Sequence, residues 1–284
     1  MLRKAEKHEL EEYADFAYEL ALDRTRSGYP TYTDGIKTRE DFASRAMRGF
    51  DDENEEILLF LRDGEVCGWI HYFCIPEDKY LQTVVFNVSE GVREAIAEFL
   101  GYMRSRFSGC ELYLGFPAEN TEATAALSEA GLECVSDNMH CDAVLAEYEP
   151  REESGEIVAV TRENFPLFAE LHSQYEGDMY WSAARLREAL DEWRIFMLVR
   201  GGRAAGAVYC TDFAGGIPCA EIFGIDIREG GSPVRRALLT AALNCEKRRG
   251  KRRLLYFAEK AELADVLACG FRSVGGYVCF KEML

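Results

Sequence analysis

The sequence predicts an α/β protein of the α+β kind, made of two tandem domains. Each is read as a mixed, mostly antiparallel sheet with helices on both faces. Three observations lead there. The 284 residues are many for one compact domain and suit two. The chain nearly repeats itself at an offset of 138 residues, with Arg62–Gly68 falling on Arg200–Gly206 and Cys141 on Cys279. One residue further, Ala130–Val135 falls on Cys269–Val274, in the same order along the chain. Both halves run through one order of elements, β-α-α-β-β-β-α-β-α-β.

In the first half, apolar spacing predicts helices over Leu10–Leu22 and Glu40–Phe50. Strands follow over Glu56–Leu61, Val66–Cys74 and Leu81–Val88, the first two joined by a glycine turn in a hairpin. A helix is expected from Ser89 to Arg106, a strand over Glu111–Leu114, a helix over Ala118–Ala130 and a last strand or pair over Leu132–Leu145. In the second half the strand Ile157–Val160 precedes helices near Glu163–Gln174 and Ser182–Glu192. Strands Ile195–Arg200, Ala204–Thr211 and Ala220–Ile227 lead to a helix over Pro233–Arg248. Strand Leu254–Phe257, helix Glu259–Ala268 and strand Phe271–Phe280 complete the copy. The polar stretch Glu149–Glu156 reads as the connection, giving domains 1–148 and 156–284 with a linker at 149–155.

Charge separates the halves. Residues 1–150 hold 14 Lys/Arg against 31 Asp/Glu, whereas residues 151–284 hold 19 of each. An acidic first half repels polyanions, so nucleic acid is not expected as a partner. The basic run Lys247–Arg253 is either a phosphate or nucleic-acid patch or a helix C-terminus, where cations suit the dipole and Gly250 serves as cap. Ten cysteines form no C-x-x-C pair and only four histidines accompany them, so no metal site is expected. Thiols in apolar stretches, no run of about 20 apolar residues and no apolar signal core near Met1 point to a cytoplasmic chain without a membrane partner.

The segment Phe223-Gly224-Ile225-Asp226-Ile227-Arg228-Glu229-Gly230-Gly231-Ser232-Pro233-Val234 runs from a strand into a helix. With the order of elements, it resembles the GNAT acetyltransferase superfamily, in its tandem two-domain form, over both halves. In that family the fourth strand ends in an Arg/Gln-x-x-Gly-x-Gly/Ala loop, and Arg228-x-x-Gly231 matches its start, with Pro233 at the final position. Free amides and the dipole of a helix N-terminus bind a pyrophosphate, and glycines let it approach. The resemblance therefore implies acetyl-CoA or another acyl-CoA as acyl donor. It would lie against Ile225, Asp226, Ile227, Arg228, Gly230, Gly231, Ser232 and Val234, with a strand N–H polarising the thioester carbonyl. The first half departs further: Ser89-Glu90-Gly91-Val92-Arg93 has one glycine, and Glu90 and Glu94 stand where an anion would sit. It keeps the family's Asn-started helix at Asn120, while the family's frequent tyrosine acid is replaced by Leu127 and Val266.

Some members of the family carry a Glu-Ile pair whose carboxylate deprotonates the amine through water, and Glu221-Ile222 matches it. Read from the strand alone, Glu221 is either such a base or a solvent-facing residue on an edge strand. Asp178, Tyr180 and Trp181 lie in the loop that supplies substrate contacts in such folds, and aromatics with a carboxylate suit a cationic amine. The same residues also fit a packed aromatic cluster. Two functions follow: an N-acyltransferase acting by direct attack on a small-molecule or peptide amine, or a non-catalytic ligand-binding or interaction protein on the same fold.

Overall fold

A computed structural model of the chain describes residues 1–29, 32–175 and 180–284. They form two compact units. Unit 1 comprises Met1–Asn138 together with Gly275–Leu284, and unit 2 comprises Met139–Val274.

In unit 1, β1 (Leu2–Lys4), α1 (Glu9–Ala21) and α2 (Arg39–Asp51) precede β2 (Glu55–Arg62), β3 (Glu65–Ile75) and β4 (Tyr80–Val88). Then come α3 (Val92–Arg106), β5 (Glu111–Pro117), α4 (Thr121–Glu129) and β6 (Glu133–Val144). The strands β1 to β4 form an antiparallel meander, and β4 meets β5 in parallel. α2 starts where Thr38 and Asp41 cap each other reciprocally, and α4 where the Asn120 side chain accepts from the Ala123 amide. One apolar cluster lies under α3 and α4, with Phe99 and Leu127 fully buried, and a second under α1 and α2, centred on Trp69.

Unit 2 repeats the plan. β7 (Glu156–Ala159), α5 (Phe165–His172) and α6 (Ala183–Glu188) lead to β8 (Trp193–Arg200), β9 (Arg203–Phe213) and β10 (Cys219–Ile227). α7 (Gly231–Arg248), β11 (Arg253–Glu259), α8 (Leu263–Cys269) and β12 (Arg272–Met283) follow. Here too the meander is antiparallel and the β10–β11 pair parallel. α7 and α8 cover one face of this sheet and α5 with α6 the other.

The last strand of each unit comes from outside its own repeat. Residues Tyr277–Met283 of β12 pair antiparallel with β5 in unit 1, and the second half of β6 lies beside β11 in unit 2. Asp142 on β6 bonds Arg253 on β11 and takes a 2.7 Å hydrogen bond from Arg272. The three-residue β1, paired with β2, is too short for periodicity to detect. The run Lys247–Arg253 ends α7 with Gly250 at φ 78°, and its cations pair with unit 2 acceptors such as Asp212, Glu246 and Glu153.

Candidate functional site

In unit 2 the parallel pairing of β10 with β11 stops at Ile222 and Tyr256. At that point β10 bulges: Ile222 opposes Cys210, Gly224 opposes Tyr209, and Phe223 is the extra residue. A bulge bends its strand, and the two parallel neighbours part beyond it. Gly224 is needed there because a Cβ would lie 2.1 Å from the Tyr209 hydroxyl. Past the bulge the ladder to β9 continues to Ile227, and the Arg228 N–H donates to the Ala205 carbonyl at 2.9 Å. Antiparallel bonds alternate. The N–H and C=O of Ile225 and Ile227 therefore turn away from β9, into the gap that opens toward β11. At Ile227 one residue takes both groups: the Tyr175 hydroxyl donates to its carbonyl at 3.1 Å and accepts from its amide at 3.3 Å.

The gap leads to the start of α7. Gly230 (φ 83°) and Gly231 (φ 48°) adopt left-handed conformations that favour glycine. Among the described residues no side chain caps this end, and the amides of Gly231 and Ser232 have no intrahelical acceptor. A Cβ on Gly231 would meet nothing within 4 Å, so the turn is open above it. Pro233 sits in the first turn, where its missing N–H costs no helix bond. Val234 points into the core and fills the space under Gly206 and Gly230. The Ser232 hydroxyl donates to Asp265 at 2.5 Å, and Arg235 and Arg236 neutralise that carboxylate. Burial acts upward on the Asp265 carboxyl, but hydrogen bonds from Ser232, Arg236 and Arg235 outweigh it and hold the group below its ordinary range. Two further cations lie near the turn. The Arg200 guanidinium is 2.8 Å from where a Gly230 Cβ would stand. Arg228 pairs with Glu170 at 3.2 Å, and among the described residues its Nη1 has no hydrogen-bond partner.

Of the residues read as cofactor-binding, Ile225, Ile227, Arg228, Gly230, Gly231 and Ser232 thus gather along the gap and the turn. Asp226 faces elsewhere. It is buried, 2.7 Å from His172 Nδ1, and accepts from the Tyr209 hydroxyl at 3.4 Å.

Glu221 lies on an interior strand, opposite Thr211 on β9 and Leu255 on β11, and is half-buried. Directly opposed residues share a sheet face, and Thr211 in turn opposes Trp193. The carboxylate therefore faces the α5–α6 side, one residue before the bend. Tyr180 and Trp181 reach the same side, with Trp181 packed edge-on to Trp193 at 5.0 Å. Asp178 lies outside the described residues.

Unit 1 has the same bulge and the same parting. Its parallel pairing ends at Gln82 and Tyr113, and Val84 is the extra residue between Thr83 and Val85. By register, Gln82 stands where unit 2 has Glu221, Val84 where it has Phe223, and Val88 where it has Ile227. Here the chain itself enters the gap. The Arg26 carbonyl accepts from the Val88 amide at 3.1 Å, and the Tyr29 amide donates to Gly115 on β5 at 3.1 Å. Between them, the Asn120 side chain donates to Ser27 at 3.1 Å and the Gly28 amide to Asn87 at 3.3 Å. Gly28 passes so near β4 that a Cβ would be 2.8 Å from that of Phe86. At the α3 turn Arg62, the counterpart of Arg200, is 3.7 Å from Glu90.

His172 and Arg200 were missed by sequence reasoning, and Tyr175 was read only as the first residue of the loop Tyr175–Trp181 that supplies substrate contacts, not as a partner of Ile227. Arg200 had a signal, since it begins the repeated Arg62–Gly68 match. His172 had none, because the connection between the first two helices differs in length between the copies.

No family model and no curated protein matches the sequence. Among solved structures, a GCN5-related N-acetyltransferase from Sphaerobacter thermophilus is 15% identical, with a TM-score of 0.67 over 99% of this chain and 95% of its own. A tandem GNAT protein from the clavulanic acid biosynthesis pathway is also 15% identical, with a TM-score of 0.54 over 99% and 98%. A GNAT-family acetyltransferase from Colwellia psychrerythraea is 11% identical, at 0.51 over 99% of both chains. At these identities the likeness is one of fold: the chain has the GNAT N-acetyltransferase fold along its whole length.

Proposed function

We propose that the chain is an acyl-CoA-dependent N-acyltransferase, transferring an acetyl or other acyl group to a small-molecule or peptide amine, with its one working site in unit 2. The observation that carries this reading is the parted β10–β11 pair running into an uncapped helix start. Three features of that track fit an acyl-CoA. Ile225 offers an N–H and a C=O into the gap, as a strand-like pantetheine chain requires. Open glycine turns and the first amides of α7 suit a pyrophosphate. Arg200 and Arg228, whose Nη1 has no hydrogen-bond partner among the described residues, add positive charge beside them. When bound, an acyl-CoA supplies an acyl group already activated as a thioester.

The chain's own residues do the rest. Glu221 takes the proton from the acceptor ammonium, so that neutral nitrogen faces the gap. The Ile225 N–H is fixed by the ladder to β9 and is the donor available to a carbonyl oxygen there, a preorganised contact needing no rearrangement. In direct attack the nitrogen would form the amide bond as the thioester C–S bond breaks, and the remaining proton it loses would pass to the leaving sulfur, so that the donor departs as the thiol and no covalent enzyme intermediate is needed. The ten cysteines, none in a disulfide, support a reducing compartment, which we take to be the cytoplasm.

For unit 1 a different observation favours the non-catalytic reading. Its gap is occupied by Arg26–Tyr29, its base position is Gln82, and Glu90 stands at its helix turn. We therefore expect one acetyl-CoA per chain. Titration calorimetry of the full chain tests this: two sites would overturn the reading of unit 1, and no binding at millimolar acetyl-CoA would overturn the transferase reading.

A further inference from the structure

Two neighbours on β10 hold the two ends of the α5–α6 connection. Ile227 meets the Tyr175 hydroxyl with both of its backbone groups. Asp226 holds the other end through His172, the last residue of α5. The His172 ring is fully buried, stacked on Phe168 at 5.0 Å and edge-on to Tyr209 at 5.4 Å. Its Nδ1 lies 2.7 Å from the Asp226 carboxylate and its Nε2 2.8 Å from the Trp181 carbonyl. Trp181 packs edge-on to Trp193 at 5.0 Å, and the next residue, Ser182, caps α6 by accepting from the Arg185 amide. The ring thus ties the start of α6 to the strand whose backbone faces the gap.

Both partners of the ring are acceptors. A carbonyl and an ionised carboxylate have no proton to give, and a neutral imidazole donates from one nitrogen only. The bridge therefore holds one proton more than a neutral ring beside an ionised carboxylate. Imidazole is the stronger base of the two, which puts that proton on His172. Burying such a pair is costly, and unit 1 shows that the fold does not demand it. By register Asn87 stands where unit 2 has Asp226. Its side chain donates to the Ala17 carbonyl on α1 at 2.9 Å and accepts from the Gly28 amide at 3.3 Å. The same strand position joins the first helix to the segment after it in both copies, in unit 1 through an uncharged side chain. By register, too, Glu55 stands where unit 2 has Trp193, the ring on which Trp181 packs.

We propose that His172 is a positioning residue for the transfer: bonded to Asp226 and to the Trp181 carbonyl, it sets the acceptor side of unit 2 against the strand that faces the acyl donor. This rests on the transferase reading above and adds a residue to it. Both ring nitrogens are engaged inside the protein, so His172 does not touch the reacting atoms. It acts through Trp181, which reaches the face that also carries Glu221. Charge-assisted bonds are the stronger kind and fix direction as well as distance. A displacement of about 1 Å between reacting groups costs about a hundredfold in rate.

Three measurements on the full chain test it. The chain has four histidines, so imidazole nitrogen NMR signals can be assigned by substitution. Near neutral pH both His172 nitrogens should carry protons. In Asp226→Asn the new amide can donate to Nδ1, so the ring should carry one proton and still bond Trp181. Trp69 and Trp193 are buried, so quenching by acrylamide reads mainly Trp181. His172→Phe combined with Asp226→Leu removes both bonds without stranding a buried charge, and should raise that quenching. The same double variant should lower kcat/KM for thiol release from acetyl-CoA, with 2-phenylethylamine and cadaverine as probe amines, by about tenfold or more. KM for acetyl-CoA should stay, and Asp226→Asn should restore kcat/KM to within about threefold of the native chain. A native His172 ring with a single proton overturns the proposal. So does unchanged quenching or turnover in the double variant, or an Asp226→Asn chain as impaired as the double variant. Should the double variant not fold, the nitrogen spectra and Asp226→Asn still decide. No thiol release with either amine, beside a two-proton ring and a shielded Trp181, would sink the transferase reading and leave the bridge standing.

Discussion

Unit 1 and unit 2 bend the same strand at the same place, and each leaves a gap beyond the bend. The difference lies in what enters it. In unit 1 four backbone residues run through the gap and bond both of its walls. In unit 2, at the matching rung, a single tyrosine hydroxyl holds Ile227. A side chain can swing away by rotation about χ angles, whereas a backbone segment tied to β4, β5 and Asn120 cannot leave without unfolding its surroundings. The same opening is thus bridged by one side chain in one copy and threaded by backbone in the other.

The largest expected effect comes from giving unit 2 the residue unit 1 has. Glu221→Gln should lower kcat by about a hundredfold or more, as loss of a general base does, while the acetyl-CoA isotherm stays put. Unchanged turnover would remove Glu221 from the chemistry. Next is Gly28→Ala in unit 1. The added methyl group meets Phe86 with no room to give, and overpacking of this kind costs about 1–3 kcal/mol. The urea midpoint should fall with KM for acetyl-CoA unaltered; a raised KM would mean that unit 1 takes part in binding.

Tyr175→Phe sharpens the comparison from the other side. Removing the hydroxyl frees both groups of Ile227, and a hydrogen bond is worth about 1 kcal/mol net. Acetyl-CoA should then bind roughly fivefold more tightly. Weaker binding would show the hydroxyl to be a ligand and not a stand-in.

The smallest effect concerns pH. Burial acts upward on Glu55, but hydrogen bonds from His71 and Arg45 outweigh it and bring its pKa from 4.5 to about 2. A depressed carboxyl stabilises the fold above its unfolded pKa and loses that contribution as pH falls toward the folded value. The urea midpoint of the native chain should therefore drop between pH 4.5 and about 2. Glu55→Gln, which puts an uncharged side chain where unit 2 has Trp193, should start lower and lose less over that interval.

Much of this was legible in the residues. The glycine-bearing hairpins and the alternating strands of both copies gave the meander, and Gly230-Gly231-Ser232 marked the helix turn. Glu221 stood out as a carboxylate in an apolar strand, although only the register shows that its strand is interior. Laying Leu81–Ser89 on Ala220–Arg228 would have set Gln82 against Glu221, because the turn before β10 is one residue longer than the turn before β4 and moves the offset to 139. What no pattern carried were the occupants of the two gaps. Arg26–Tyr29 and Tyr175 act through single hydrogen bonds from irregular segments, which have no periodicity to read. Asp226 misled for a related reason: its neighbours on β10 face the gap with their backbone, while its own side chain turns to His172.

The last strand of each copy lies in the other's span of sequence, with 275–284 completing unit 1 and 139–144 completing unit 2. A gene cut at the polar stretch after residue 148 would encode an amino-terminal product lacking the partner of β5. Shortening the protein to unit 2 alone would orphan the tail 275–284 that its sequence carries, so under the proposed function a silent first copy would still be hard to discard.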